Sequence, residues 1–190
     1  PDRVSHSMPC DLLIVRTSKP ERAKPAGEYG SVLIATDGTP TADRAARVGA
    51  EFARALGAQI TLVHVGDEAV GEIVLRDTAE RLGDRDLPTK ALKGDAGDSI
   101  AKLADAEGHD LVVVGNRGMS GGLRFLAGVV PDKVSHQATC DVLIVNTVGR
   151  TPEDLEPGEG AIVEVEGKKV AAYRDDQGAL VLLSPKCKHL

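Results

Sequence analysis

Short apolar runs alternate along this chain with segments whose apolar positions recur at helical spacing. The runs predict five strands and the intervening segments predict four helices. Because both faces of each strand are apolar, we expect a mainly parallel sheet with helices on both faces, an α/β doubly wound fold. The predicted strands are Val32–Thr36, Gln59–Val65, Thr89–Gly94, Asp110–Gly115 and Asp141–Val145.

Polar and glycine residues predict where these helices begin and end. Thr39 followed by Pro40 is a favourable start, since the hydroxyl accepts a backbone hydrogen bond and proline occupies the first helical position. Gly57 is the expected stop of that helix. A second helix is expected around residues 68–82, a third begins at an Asp98 cap and ends at Gly108, and a fourth starts near Gly128.

The first fifteen residues repeat later in the chain. PDRVSHSMPCDLLIV (Pro1–Val15) and PDKVSHQATCDVLIV (Pro131–Val145) agree at ten of fifteen positions, at an offset of 130. A match of this length indicates an internal repeat. The opening residues therefore predict a final helical turn and strand, of which the strand Asp11–Val15 pairs with Asp141–Val145.

The last part of the chain has a different pattern. Residues 16–30 and 148–156 have the polar composition of linkers. Beyond them, short alternating strands at Ala161–Val165, Lys169–Arg174 and Leu180–Leu183 are separated by turn sequences at Glu166-Gly167 and Asp175–Gly178. This β-rich segment is expected to lie outside the α/β sheet.

The composition of the chain argues against several classes of function. The net charge of −6, with two Phe, two Tyr and no Trp, argues against nucleic-acid binding, which needs clustered cations and stacking side chains. No apolar run approaches a membrane span. The three cysteines are far apart and odd in number, which is typical of reduced thiols, so we expect a cytoplasmic protein.

A glycine-rich loop follows the fourth strand. Gly115 and Gly118 are separated by two residues, and nine more precede Gly128. Such glycines allow backbone N–H groups to approach an anion, and a helix starting at Gly128 favours phosphate. Asp37, after the first strand, could face an adenine or ribose across the same cleft. On spacing alone, a mobile loop whose glycines end a strand and cap a helix is the favoured explanation of the pattern.

The segment 31–147 resembles a universal stress protein domain over its whole length. The resemblance is carried by VLIATDGTPTADRAARVGAEFARALGAQITLVHV, DLVVVGNRG and GVVPDKVSHQATCDVLIV. It implies a flavodoxin-like fold that binds ATP or ADP, and a second repeat as intramolecular or homodimer partner. The nucleotide-contacting residues that it implies are Ala35, Asp37, Val65, Gly115, Arg117, Gly118, Gly128, Val129 and Val130.

One position departs from that family pattern. The Ser or Thr that follows the last glycine is Val129 here, so a hydroxyl is lost while the backbone N–H remains. A hydrogen bond to a charged group contributes roughly 1.5–3 kcal/mol, which corresponds to about ten- to a hundredfold in affinity. No Ser/His/Asp arrangement or carboxylate pair is recognisable, so we expect no catalytic residues and at most slow ATP hydrolysis.

Residues 157–190 resemble the first part of a Rieske-type ferredoxin domain. By that resemblance Cys187 and His189 are one Cys/His pair of the ligands to a [2Fe–2S] cluster, which needs two Cys and two His. The second pair is expected downstream of Leu190, so the complete cluster belongs to a longer parent chain. The repeat at residues 1–15 likewise indicates a preceding stress-protein repeat.

The two repeats offer an alternative metal site. His6, Cys10, His136 and Cys140 could form a His₂Cys₂ zinc site if the repeats pair about a two-fold axis. Their spacing matches no common zinc motif, and a solvent-facing His136 with an apolar Cys140 explains them more simply.

Two functions remain open. One is a nucleotide-binding regulatory module in a stress-response protein, fused to a Rieske domain. The other is a Rieske-type electron-transfer protein with an unidentified redox partner, in which the α/β domain is a dimerisation or docking scaffold that does not bind ligand.

Overall fold

The computed structural model describes residues 10–16, 28–116, 129–147, 152–165 and 168–183. The chain divides into two units, Pro1–Thr147 and Val148–Leu190. The elements of the first unit are β1 (Leu12–Ile14), β2 (Ser31–Ala35), α1 (Pro40–Ala55), β3 (Gln59–Val65), α2 (Glu68–Arg81), β4 (Thr89–Leu92), α3 (Ala96–Glu107), β5 (Leu111–Gly115), α4 (Val129–Gln137) and β6 (Asp141–Val145).

These strands form one sheet in the order β1-β6-β5-β2-β3-β4. Strands β2 to β6 are parallel to their neighbours, and β1 is antiparallel to β6. Apolar side chains that alternate along each strand feed two separate clusters, one containing residues of α1 and α2 and the other residues of α3 and α4. Helices therefore cover both faces, and the predicted doubly wound α/β fold is confirmed.

Small side chains bring α1 close to the sheet. Six alanine and glycine residues of this helix are buried. A Cβ added to Gly49 would lie 2.9 Å from Cγ1 of Val113 and 3.2 Å from Cδ1 of Ile34. The helix begins as predicted, because Thr39 Oγ1 accepts a hydrogen bond from Ala42 N and Pro40 follows the cap. Gly57, with φ +68°, follows its C-terminal end as expected.

The predicted start of the third helix is wrong. Its N-cap is Asp95, which accepts a hydrogen bond from the backbone N–H of Asp98, so α3 begins three residues earlier than Asp98 would place it. Gly97 lies in the first turn, where an added Cβ would lie 2.5 Å from Cβ of Lys133 in α4. Gly97 is therefore required for the close approach of α3 to α4. The predicted stop at Gly108 is confirmed, with φ +70°.

The predicted pairing of the two repeat segments is confirmed. Leu13 lies opposite Leu143, its counterpart at the offset of 130, and the neighbouring pairs are Leu12 with Ile144 and Ile14 with Val142. Equivalent residues thus exchange places about a local two-fold axis at Leu13 and Leu143, the arrangement of an isologous contact.

The second unit has its own sheet. A 3-10 turn (Pro152–Asp154) precedes β7 (Gly160–Val165), β8 (Lys168–Arg174) and β9 (Leu180–Leu183), which form an antiparallel meander. A small cluster of Leu155, Val163 and Ala172 is its core. The predicted β-rich tail is confirmed as a separate sheet. Its turn at Asp175–Gly178 is observed, whereas the one at Glu166-Gly167 lies outside the described residues.

Candidate functional site

The site lies where the direction of the sheet connections reverses. From β2 the chain proceeds outward to β3 and β4, whereas from β5 it proceeds to β6 on the other side. The neighbours β2 and β5 are parallel, with Val32 opposite Leu111 and Ile34 opposite Val113. The strands that follow β2 and β5 therefore lie on opposite sides of this pair, and the carboxyl end of such a reversal point is where open α/β sheets bind ligands.

Three of the predicted nucleotide-contacting residues are the last residues of strands at this edge. Gly115 is the last residue of β5, while Ala35 and Val65 are the last residues of β2 and β3. Ala35, Val65 and Val130 are each partly buried against the apolar cluster on the α3 and α4 side of the sheet. These three side chains therefore lie on the same side of the sheet.

Asp37 is held in a defined loop between β2 and α1. One carboxylate oxygen, Oδ1, accepts hydrogen bonds from Thr39 N at 3.0 Å and from Thr39 Oγ1 at 2.6 Å. Gly38 has φ +76°, and its N–H donates to Thr36 Oγ1 at 3.2 Å. A Cβ at Gly38 would lie 3.0 Å from Cγ2 of Val74, so the glycine is required by both conformation and space. The half-buried carboxylate is fixed at the strand end.

His64 supports this loop and was not predicted to do so. Its ring is buried, with 7% of the residue exposed, and Nδ1 donates to the carbonyl oxygen of Thr36 at 3.0 Å. Glycines provide the space for the ring, since a Cβ at Gly66 or Gly71 would lie 2.9 Å from a ring atom. His64 therefore fixes the residue immediately before Asp37. A histidine inside an apolar strand with two nearby glycines is the sequence signal that could have indicated it.

Asn116 ties the end of β5 to the end of β6 and was also missed. Its N–H donates to the carbonyl of Val145 at 2.8 Å, and its Nδ2 donates to Asn146 Oδ1 at 3.0 Å. Its Oδ1 accepts from Thr147 N and Thr147 Oγ1 at 2.8 and 2.7 Å. The first residue after Gly115 is thus held by four hydrogen bonds before the glycine-rich segment begins.

Several predicted residues lie outside the described part of the chain. These are Arg117, Gly118, Gly128, Cys187 and His189. Val129 is the first residue of α4. The site is therefore described on the β2, β3 and β5 side and at the start of α4.

Three of the four residues of the zinc alternative lie in the described part of the chain. Cys10 is exposed, Cys140 is buried, and His136 Nδ1 donates to the carbonyl of Asp132 at 2.8 Å, while His6 lies outside the described residues. Burial raises the pKa of the Cys140 thiol to about 11. Within the described ranges, no three His, Cys, Asp or Glu side chains converge in a way that could hold a metal ion.

A Ser–His–Glu cluster lies at the opposite edge of the sheet. Ser31 Oγ is 2.6 Å from His109 Nδ1, and His109 Nε2 is 3.5 Å from Glu107 Oε2. The sequence did not reveal this arrangement, because residues 31 and 109 meet only through the pairing of β2 with β5. Asp110 accepts the N–H groups of Gly30 and Ser31 at 2.8 and 3.1 Å. The cluster thus joins the start of β2 to the end of α3, and we assign it a structural role.

Its histidine is kept largely neutral. His109 is 5% exposed, and burial lowers its pKa, while the nearby Glu107 carboxylate partly offsets the effect. Lys90 Nζ lies 2.6 Å from the other oxygen of Glu107, and this hydrogen bond lowers the pKa of Glu107.

None of the helices in the described ranges has the length and apolarity needed to cross a bilayer.

Comparison with known proteins gives a consistent match for the first unit. The model of the universal stress protein family matches residues 28–75 and 68–146. Universal stress protein Rv1636 of Mycobacterium tuberculosis is 32% identical over 142 residues, which cover 63% of this chain and 97% of that protein.

Solved structures of universal stress proteins are also similar to this chain. A universal stress protein whose crystal structure was determined in complex with cAMP is 33% identical, with a TM-score of 0.54, and the match covers 63% of this chain and 98% of that one. A universal stress protein from Archaeoglobus fulgidus has a TM-score of 0.59 at 18% identity, covering 76% of this chain and 52% of that chain, which supports the fold alone.

Proposed function

We propose that this chain, which belongs to the universal stress protein family, is a regulatory module that binds an adenine nucleotide. The nucleotide, ATP or ADP, would bind at the carboxyl ends of β2, β3 and β5. No residue is assigned a catalytic role, and hydrolysis of bound ATP would be slow at most.

The observation that carries this proposal is the grouping of predicted residues at the reversal point of the sheet. Ala35 and Val65 offer an apolar surface for an adenine ring beside the half-buried carboxylate of Asp37, a suitable acceptor for a ribose hydroxyl or an adenine amino group. Gly115 ends β5 next to them, so the glycine-rich segment that follows it leaves from the same edge. Its backbone N–H groups and the start of α4 would receive the phosphates.

The cAMP-bound relative supports the adenosine part of this proposal. cAMP shares its adenine and ribose with ATP and ADP but has a single phosphate. The identity of 33% over 98% of that chain makes a related adenosine pocket reasonable here. Val129 lacks the hydroxyl that the family pattern places near the phosphates, so we propose that discrimination among ATP, ADP and cAMP rests on backbone groups.

Calorimetric titration of the full chain with ATP, ADP, cAMP and, as a control, GTP tests the proposal. Asp37→Ala should weaken adenine-nucleotide binding about tenfold or more, because a hydrogen bond to a charged group is lost. Asp84→Ala is the matched control, since Asp84 Oδ1 accepts a comparable bond from Asp86 N in an exposed turn. Absence of saturable binding by the unaltered chain contradicts the proposal, as does equal weakening by both substitutions.

We also propose that residues 1–15 derive from a second stress-protein repeat. The support is the isologous pairing of β1 with β6 about Leu13 and Leu143, which is what two equivalent terminal strands would form.

The second candidate function concerns the last unit. We propose that residues 157–190 are the amino-terminal part of a Rieske-type electron-transfer domain, with Cys187 and His189 as cluster ligands. Its support is the sequence resemblance and the separate antiparallel sheet of β7, β8 and β9. A Cys-x-x-His motif encoded within a few dozen codons downstream of Leu190 would support it, and an open reading frame without one would contradict it.

A further inference from the structure

Residues on either side of the short strand β1 are linked to elements that precede and follow the glycine-rich segment. At one end, Asp11 Oδ1 accepts the backbone N–H of Asn146 at 2.7 Å. Asn146 Oδ1 in turn accepts from Nδ2 of Asn116, the residue that follows Gly115. A chain of hydrogen bonds therefore runs from β1 to the first residue of the loop that leaves β5.

The other end of β1 reaches the helix that follows the same segment. The N–H of Arg16 donates to Asp141 Oδ1 at 2.8 Å. The Arg16 guanidinium donates to the carbonyl of Ser135 in α4 and, at 3.4 Å, to the carbonyl of Cys140. Residue 16 thereby holds the C-terminal part of α4, whose first residue is Val129.

These two sets of contacts are related by the repeat, yet they differ in what they reach. Asp11 and Asp141 are equivalent at the offset of 130, as are Arg16 and Asn146. Asp11 accepts the N–H of Asn146, and Asp141 accepts the N–H of Arg16. Because one position is Asn and the other is Arg, the side chains diverge. Asn146 continues to Asn116, whereas Arg16 extends to α4.

From this arrangement we propose that Asp11 and Arg16 are positioning residues for the nucleotide site, so that affinity depends on occupation of the β6 edge by β1. Asp11 fixes the start of the glycine-rich segment through Asn146 and Asn116. Arg16 holds the C-terminal part of α4, the helix that follows that segment. The inference rests on the proposed nucleotide binding and adds a coupling between that site and the N-terminal strand.

The coupling has a reciprocal consequence. If β1 improves nucleotide binding, bound nucleotide must stabilise the docking of β1 to the same extent. A strand that only stabilises the fold, without coupling to the site, would not respond in this way.

The first test is calorimetry of the full chain with ATP. Asp11→Ala should weaken binding by about two- to tenfold, the range expected for one hydrogen bond. Asp11→Asn retains an oxygen acceptor and should restore most of the affinity. Cys10→Ser, at the exposed neighbouring position, is the matched control and should bind as the unaltered chain does.

The Arg16 end is tested in the same way. Arg16→Ala should weaken ATP binding by a comparable factor, and the double variant with Asp11→Ala should weaken it further. Val15→Thr is the control, because Val15 is 52% exposed.

Hydrogen exchange gives an independent readout. ATP should slow amide exchange in residues 11–16 of the unaltered chain, and the effect should shrink in Asp11→Ala. The positioning role is refuted if the unaltered chain and Asp11→Ala bind ATP equally well. It is also refuted if the chain binds ATP but amide exchange in residues 11–16 does not change. In both cases the proposed function stands. If the unaltered chain binds no adenine nucleotide, the proposed function fails and the positioning role fails with it.

Discussion

Polar residues have different partners where the parallel strands of the α/β sheet begin, which we call the amino-terminal edge, and where they end, the carboxyl edge. At the amino-terminal edge, side chains bond to one another and to strand starts: Asp110 accepts from Gly30 and Ser31, and Ser31 contacts His109. At the carboxyl edge, the side chains of Asp37, His64 and Asn116 bond to backbone and side-chain groups of the loops that follow the strands. One edge joins elements together, and the other fixes the shape of loops.

This difference separates stability from binding. Substitutions at the amino-terminal edge should change the free energy of unfolding without changing nucleotide affinity. Substitutions that disturb the loops of the carboxyl edge should change affinity as well. We therefore expect polar residues of the same types to affect stability alone at one edge and nucleotide affinity as well at the other.

The largest effect on the free energy of unfolding is expected for Asp110→Ala. It removes the acceptor of two backbone N–H groups at the start of β2, which should lower the free energy of unfolding by about 2 kcal/mol. Urea denaturation measures the loss, and Asp110→Asn, which keeps one acceptor oxygen, should lose less. An unchanged urea midpoint, or a loss of ATP affinity in a folded Asp110→Ala protein, would erase the distinction between the edges.

A smaller effect on stability, with an added effect on binding, is expected for Gly71→Ala. The new Cβ would lie 2.9 Å from His64 Cδ2 and 3.3 Å from Ala91 Cβ. Overpacking, partly offset by the better helix propensity of alanine, should cost about 1 kcal/mol. Because the displaced ring also holds the Thr36 carbonyl, ATP affinity should fall too.

A double-mutant cycle isolates this contact. Gly71→Ala should cost less stability in a His64→Ala background, since the clash is then absent. Equal costs in both backgrounds would show that the His64 ring is not the obstacle.

The smallest effect is a pH dependence from His109. Burial lowers its pKa below 6.5, so the unfolded chain binds the proton at higher pH than the folded chain does. The resulting loss of folding stability is absent well above pH 6.5 and develops as the pH falls below about 6.5.

His109→Gln should therefore flatten the stability profile in that window, measured by urea denaturation at several pH values. The carboxylate Glu107, whose pKa is lowered from 4.5, contributes at lower pH and remains in both proteins. A profile with the same slope in both proteins would contradict a buried neutral His109.

Local sequence patterns were sufficient to predict most of the fold. Apolar runs predicted β2 to β6, Thr39-Pro40 predicted the start of α1, and the repeated segment predicted that β1 pairs with β6. These features depend on periodicity, on capping within a few residues, or on a direct sequence match. The start of α3 was misplaced because Asp95 and Asp98 are both favourable caps by residue type, and only the hydrogen bond from Asp98 N to Asp95 Oδ1 distinguishes them.

The candidate site was predictable only in part, because its supporting contacts join distant residues. Gly115 and Asp37 could be expected from strand ends and from family resemblance. Ser31 meets His109 across two paired strands, and Asn116 meets Thr147 in the same way. No local pattern specifies which residues become neighbours once the sheet assembles.

The most direct test of the central claim is hydrogen exchange of the full chain with and without saturating ATP. Nucleotide binding at the carboxyl edge predicts slower exchange in residues 35–39, 63–66 and 114–116. It predicts unchanged exchange at the amino-terminal edge, in residues 29–31 and 107–110. Protection confined to the amino-terminal edge, or no protection at either edge, would contradict the account.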